Sequence, residues 1–188
     1  MAKKDVIIGL GEIGLPLFNL ISKFTMAEGY DIKPELRNKP KFSQYENLDV
    51  LFLHICIPFS KNFFREIYSL YKKYHPQAIV IHSTVSPYTT KNLQKKLSIP
   101  VIYSATRGIH KRMLSDLKRY TKFYAIEPKA PRAKWASSAF SLLMKKCGIK
   151  TKKMSSPVTL ELAKILVDTS YYGWLINYTQ ITNAVALQ

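Results

Sequence analysis

The apolar run Val6-Ile7-Ile8 leads directly into Gly9-Leu10-Gly11-Glu12-Ile13-Gly14, and no other stretch restricts the fold as much. Three glycines spaced GxGxxG, between a strand-length apolar run and a segment of helical period, require a tight strand-to-helix turn. Each glycine has its own reason. Gly9 permits the turn, Gly11 lets the backbone approach a bound group with no Cβ in the way, and Gly14 lets the helix pack closely on the strand. The helix start offers unpaired N–H groups and a partial positive charge, which suit a phosphate. A turn built only for close packing would also use glycine, so the surroundings of the motif decide its meaning.

Those surroundings alternate between strand-length apolar runs and segments of helical period. Strands are predicted at Asp5 to Leu10, Glu28 to Asp31, Leu48 to Ile57, Ala78 to His82, Val101 to Ser104, Lys122 to Ile126 and Ile149 to Met154. Between them fall helical stretches near Glu12 to Lys23, Lys61 to Tyr74, Thr89 to Leu97, Lys111 to Arg119 and Ala130 to Cys147, the last stopped by Gly148. This alternation gives the α/β class: a Rossmann-like, mostly parallel sheet with helices on both faces. Leu48 to Ile57 is almost continuously apolar, as a strand covered on both faces should be. Residues 32–47 hold two prolines and many charges and read as loop. From Pro157 onward only Gly173 interrupts, so residues 157–188 read as one long helix beyond a nucleotide-binding domain of residues 1–156. At 1.5 Å per residue that helix would run about 45 Å, longer than a domain of this size is wide. Part of it should therefore pack on something outside the domain.

The acid that closes the second strand gives the turn its meaning. Asp31 follows Gly9 at nearly the ~20 residues expected of a dinucleotide site. Its carboxylate would accept hydrogen bonds from the adenosine ribose hydroxyls and repel a 2′-phosphate, favouring NAD over NADP. An S-adenosylmethionine site also uses a glycine turn after the first strand and an acid after the second. Three glycines at this spacing favour the dinucleotide, and the alternative stays open here.

Bulk properties exclude several other classes. The chain has 188 residues, 29 Lys and Arg against 12 Asp and Glu, and a net charge of +17. Such a charge attracts anions, but it is scattered in pairs such as Lys72-Lys73, Lys95-Lys96 and Lys145-Lys146. Scattered lysines read as a solvated surface and argue against a nucleic-acid track. No stretch approaches the ~20 apolar residues of a membrane span, and no leader pattern is visible, so a soluble, cytoplasmic protein is expected. Cys56 and Cys147 lie far apart without metal-ligand spacing, so both should be reduced thiols and no metal site is expected.

Further stretches resemble one family. IGLGEIGLPL, GYDIKPE, DVLFLHICIP, IVIHSTVSPYTT and SSPVTLELAKILVDT are similar to the NAD-binding domain of the UDP-glucose/GDP-mannose dehydrogenases, in the wider 6-phosphogluconate dehydrogenase-like group. The resemblance covers nearly the whole chain. It implies cofactor contacts from Gly9, Gly11, Glu12, Ile13 and Gly14 in the turn and from Asp31. Ile57 and Pro58 at the third strand end, and Ser83, Thr84 and Val85 beside the nicotinamide, complete that set. The family usually has Thr-Pro after its third strand, whereas Phe59-Ser60 follow here. On the long helix, Lys164 matches a lysine that stabilises charge developing on the substrate. The family's asparagine four residues on is Asp168 here, and an ordinary surface ion pair would use the same spacing. Arg107 and His110, in the loop where the family has substrate-facing residues, could clamp an anion and move a proton. A solvated Arg and His would look the same in sequence. His54 and His82 belong to packing and His75 to the surface.

The family's nucleophilic cysteine sits in a glycine-rich motif of its C-terminal half that has no counterpart in this sequence. A thioester route to a carboxylate is thus unsupported, and a single hydride transfer is the chemistry expected. The leading reading is a small NAD-dependent oxidoreductase acting on an anionic, nucleotide-sugar-like substrate. In that reading Val167, Tyr171, Trp174, Leu175, Tyr178 and Ile181 form an apolar stripe that pairs two copies into a homodimer. The alternatives are a non-catalytic NAD-binding module or half of a split enzyme, and a methyltransferase.

Overall fold

The extended path of the first strand ends where Gly9 takes φ +86°, a left-handed conformation that glycine adopts at little cost. The strand, β1, is therefore Lys3–Ile8, and helix α1 begins only at Gly14 and runs to Ile21, because Gly11 to Ile13 form the turn itself. The computed structural model describes residues 2–36, 45, 47–108 and 110–187, and for His110 and Asp168 the backbone alone. Within the expected loop, residues 37–44 and 46 lie outside the described residues, while Pro34–Leu36 make a short 3-10 turn.

The remaining elements follow the predicted order, most with trimmed ends, while the second strand starts two residues earlier than expected, at Met26, and stops before Asp31. They are β2 (Met26–Tyr30), β3 (Asp49–Ile55), α2 (Phe63–Tyr74), β4 (Ala78–Ile81), α3 (Thr89–Gln94) and β5 (Val101–Tyr103). After a 3-10 turn at His110–Arg112 come α4 (Met113–Arg119), β6 (Lys122–Ile126), α5 (Ala133–Lys146) and β7 (Thr151–Lys153). Gly148 stops α5 with φ +74°, the usual left-handed helix exit. Among the described residues the strands form one seven-stranded sheet in the order β2-β1-β3-β4-β5-β6-β7. All neighbours are parallel except β5 and β6, which pair Ile102 with Ile126 in antiparallel register. The edge strand β7 carries Lys152 and Lys153 outward, charges that discourage pairing with another chain.

Helices cover both faces. On one, Ile7, Val80 and Ile102 pack under Leu17 and Ile21 of α1, Leu117 of α4 and Phe140 of α5. On the other, Leu53, Ile79 and Ile81 meet Phe63 and Ile67 of α2 and Leu93 of α3. Phe63 and Ile67 are fully buried, each contributing roughly 1.5–3 kcal/mol of apolar burial. That burial explains the large amphipathicity of α2, whose opposite face is Lys72, Lys73 and tyrosine.

The C-terminal helix differs from expectation in one respect. It begins as α6 (Pro157–Ile165), where the Ser156 hydroxyl accepts the Thr159 amide as an N-cap, and ends as α7 (Tyr172–Ala186). Between them Leu166–Tyr171 is a π-helical segment. Thr169 donates its hydroxyl to the Ile165 carbonyl at 2.6 Å, a side-chain bond that competes with the helical ladder. Along α7 every large apolar residue is exposed, including Trp174 at 74 %.

Candidate functional site

The strand order reverses between β1 and β3, and the carboxyl ends of the strands at such a point are where open α/β sheets take ligands. A row of backbone bonds fixes this edge. Gly9 N–H donates to Tyr30 O at 2.8 Å, Cys56 N–H to Ile8 O at 2.8 Å, and His82 N–H to Ile55 O at 2.8 Å. The row continues with Ser104 N–H to Ile81 O at 2.9 Å and Thr106 N–H to His82 O at 3.1 Å. Each residue just past a strand is thus tied to the end of its neighbour, so the segments after β1, β2, β3, β4 and β5 form one continuous rim.

At the turn, the Asp31 carboxylate accepts the Leu10 amide at 2.7 Å on one oxygen and the Lys33 amide at 2.9 Å on the other. The acid therefore holds the glycine turn in shape as well as standing at its mouth. A Cβ on Gly9 would lie 2.9 Å from the Cys56 carbonyl oxygen, and one on Gly14 would collide with the Gly9 carbonyl. Both glycines are required by packing. At Gly11 a Cβ would meet nothing within 4 Å, so there the turn faces open space. Ile13 at the N-cap of α1 is a hydrocarbon and gives no side-chain cap; in the first turn Pro16 has no N–H, and the Leu15 amide donates to the Gly11 carbonyl at 3.0 Å. The turn fits a dinucleotide on these grounds: rigid where it packs, open where a pyrophosphate would approach.

Further along the rim, Ser83 donates its hydroxyl to the Ile57 carbonyl at 2.5 Å, joining the two segments expected beside the nicotinamide. Thr84 and Pro58 are exposed, Glu12 is exposed, Ile13 is half-buried, and Val85 is packed in the core. Cys56 is half-buried under the turn, and burial pushes its thiol up to about 12, which leaves it without nucleophilic character at neutral pH.

The rim ends in a pocket of about 170 Å³ between the segment after β5, the start of β6, and α6. Arg107, Lys122, Lys164 and Asp116 supply its charges. Arg107 donates to the Tyr172 hydroxyl at 3.0 Å and lies over the Tyr120 ring at 5.2 Å, which orients the guanidinium. Lys122 is 5 % exposed, and its ammonium donates to Ser104 O at 2.8 Å, Thr106 Oγ1 at 2.9 Å and Ala105 O at 3.4 Å. Burial, with Lys164 adding to it, lowers that ammonium to about 7 against the raising pull of Cys56. Lys164 reaches the pocket because α6 is pinned from below. Glu161, fully buried, accepts the Thr90 amide at 2.8 Å and the Thr90 hydroxyl at 2.6 Å on Oε1.

Under the rim runs a buried polar row. His54 Nδ1 and His82 Nε2 are 3.0 Å apart with stacked rings, and His54 Nε2 lies 4.0 Å from Asp5 Oδ1. Asp5 accepts the Thr25 hydroxyl at 3.0 Å and the Phe52 amide at 3.2 Å. Burial raises its carboxyl to about 7 and lowers His54 to about 3, with Lys122 also lowering His54. His82 is lowered well below its ordinary value, first by burial and then by Lys122 and His54. Neutral histidines here carry out the packing role expected of them.

The rim thus brings Gly9, Gly11, Asp31, Ile57 and Ser83 onto one edge, with Arg107 and Lys164 at its far end. The side chains of His110 and Asp168 lie outside the described residues. Sequence reasoning missed Lys122 and Glu161. Lys122 reads as the charged start of a strand, and Glu161 as a helix surface acid. The available signal for Glu161 was a lone acid, three residues before Lys164, on a turn otherwise apolar.

No protein-family model and no curated protein matches this sequence. Solved structures do match in fold. One is UDP-D-ManNAc dehydrogenase from Pyrococcus horikoshii, with TM-score 0.69, 16% identity, and coverage of 88% of this chain and 50% of that one. A second is prephenate dehydrogenase from Aquifex aeolicus in complex with hydroxyphenyl propionate and NAD+, with TM-score 0.68, 15% identity, and coverage of 100% and 71%. A third is an imine reductase from Streptomyces aurantiacus, with TM-score 0.66, 13% identity, and coverage of 95% and 65%. The chain spans about half the length of the nucleotide-sugar dehydrogenases it resembles. Among the described residues no helix is long and apolar enough to cross a membrane.

Proposed function

We propose that this chain binds NAD in the glycine turn and serves the oxidation of an anionic alcohol by a single hydride transfer at the rim. The observation that carries the reading is the turn itself: Asp31 braces Leu10 while Gly11 opens onto space. Gly9, Gly11 and Gly14 in the turn would hold the pyrophosphate, Asp31 the adenosine ribose, and Ile57, Ser83, Thr84 and Val85 the nicotinamide side. NAD, when bound, supplies the hydride acceptor. The chain's own part is to orient an alcohol, hold its anionic group with Arg107, and stabilise with Lys164 the negative charge that grows on the hydroxyl oxygen as its proton leaves to solvent. The fold neighbours include a prephenate dehydrogenase solved with NAD+, which supports this cofactor over S-adenosylmethionine.

Calorimetry with NAD, NADP and S-adenosylmethionine tests the proposal. NAD should bind best, and NADP more weakly because Asp31 repels a 2′-phosphate. Binding of S-adenosylmethionine without NAD would overturn it.

The exposed apolar residues of α7 suit a second reading, in which the chain is a cofactor-holding module or half of a split enzyme. Absorbance of NADH with candidate alcohols, which rises with the chain alone in the first reading and stays flat in the second, separates them. In both, residues 157–188 form the element that meets a neighbour, a second copy in the homodimer reading, because Tyr171, Trp174, Tyr178 and Ile181 are exposed. Sedimentation showing a monomer at all concentrations would remove the homodimer.

A further inference from the structure

Lys122 is a buried cation whose partners are all neutral. Its ammonium donates to Ser104 O at 2.8 Å, Thr106 Oγ1 at 2.9 Å and Ala105 O at 3.4 Å. Among the described residues no carboxylate forms an ion pair with it. Three oxygen dipoles satisfy the donors without cancelling the charge, and a charge closed off from water is felt further than one at the surface.

The place of Lys122 in the fold decides what meets that charge. Ser104 and Thr106, which hold the ammonium after β5, donate their amides to Ile81 O and His82 O at the end of β4. Ser83, next in the chain, donates to Ile57 O after β3. After burial, the Lys122 ammonium is the largest influence on the protonation of Cys56, His54 and His82. Its field therefore reaches the ends of both strands, where Ile57 and Ser83 are assigned to the nicotinamide.

The oxidised nicotinamide ring is a cation and the reduced ring is neutral. We infer that Lys122 makes this stretch of the rim discriminate between the two oxidation states of the cofactor, its ammonium repelling the oxidised ring and tolerating the reduced one. This rests on the cofactor reading of the rim, to which it adds a direction. No free donor is called for, since the ammonium acts through its charge while its hydrogen bonds stay made. That charge also answers to pH. Burial lowers the ammonium to about 7, with Cys56 opposing the fall and Lys164 adding to it. Around it, Cys56 keeps its proton, His54 and His82 are neutral, and Lys164, Arg107, Asp116 and Tyr120 share its pocket lining. As pH rises through about 7 the ammonium loses its proton, and the repulsion of the oxidised ring goes with it. Asp5, beyond His54, gains its negative charge near the same pH and needs its own control.

Calorimetry of the full chain with NAD+ and with NADH tests this. Between about pH 6 and about pH 8 the affinity for NAD+ should rise about fivefold or more relative to that for NADH. At about pH 7, NAD+ binding should release protons and NADH binding should not, as read from the heats in buffers of different ionisation enthalpy. Lys122→Met, neutral and of similar length, should bring the low-pH ratio to the high-pH value and abolish the release. Lys122→Arg keeps the charge and should hold the preference for NADH across the whole range, and the proton release of the parent needs neither variant to fold. Asp5→Asn should leave both readings as they are. An affinity ratio in the parent indifferent to pH overturns the inference, as does a pH dependence that survives in Lys122→Met or vanishes in Asp5→Asn. Binding of neither form overturns the cofactor proposal along with it, whereas binding of both at a constant ratio overturns this inference alone.

Discussion

Glu161 on α6 and Thr90 on α3 are joined by two hydrogen bonds to a single carboxylate oxygen, in a place closed to solvent. The pair ties the C-terminal helix to α3, on the face of the sheet where Leu93 and Leu160 also pack, one turn before Lys164. Burial raises the Glu161 carboxyl above its ordinary range, and the Thr90 bonds hold it back down. Glu161→Ala should cost about 2–4 kcal/mol in urea unfolding, since it strands a buried amide and hydroxyl. Limited proteolysis should then cut within residues 157–172 before global unfolding. Glu161→Gln keeps an acceptor at the same point and should lose less than half as much.

Gly11 and Gly14 are separated by the same measurements. Gly14→Ala drives a Cβ into the Gly9 carbonyl and should lose about 1–3 kcal/mol of stability through overpacking. Gly11→Ala meets nothing and should leave the urea midpoint where it was. Its NAD affinity should nevertheless fall by about tenfold or more, about 1.4 kcal/mol, because the added methyl occupies the approach to the turn.

Asp5 gives a pH dependence of one sign. Its carboxyl, raised by burial from 3.8 to about 7, keeps its proton in the folded chain where the unfolded chain has lost it. The stability this confers is complete below pH 3.8 and is lost as pH rises through about 7. Asp5→Asn removes the loss, so in urea titrations its advantage over the parent should grow between pH 4 and about 8. A constant difference across that range would contradict the assignment.

The histidine pair acts with the opposite sign. His54, lowered from 6.5 to about 3, stays neutral in the folded chain while the unfolded chain gains a proton. Its contribution is present above pH 6.5 and is lost as pH falls toward 3, and His82 acts in the same direction. Between pH 3.8 and 6.5 the pair therefore opposes Asp5. The double variant His54→Gln/His82→Gln should show stability that falls with rising pH across this window, and Asp5→Asn should show it rising more steeply than in the parent.

These groups also mark how far the sequence could be read. The strand-helix alternation, the turn at Gly9 and the acid at Asp31 were legible because each rests on a local rule: period, a glycine conformation, or a fixed spacing. The antiparallel placement of β6 was not, since Lys122 to Ile126 has the same apolar pattern whichever way the strand runs. That reversal sets Lys122 at the carboxyl edge, beside Arg107, and no spacing announces it. Glu161 was opaque for a related reason. Its partner Thr90 is distant in the chain, and a helix acid looks solvated until another element is known to cover it. Cys56 shows the converse, since the absence of a motif around it agreed with a thiol that burial holds protonated.

The π-helical segment between α6 and α7 has the effect of one extra residue wound into the helix. The two halves consequently lie on different angular phases. The orientation of α6 is dictated by Glu161 and by the wall of the pocket, while that of α7 is set only after the slip. Substitutions past Tyr172, whose hydroxyl holds Arg107, can adapt α7 to a different neighbouring surface without turning Lys164 away from the pocket, so this helix can change its company while keeping its chemistry in register.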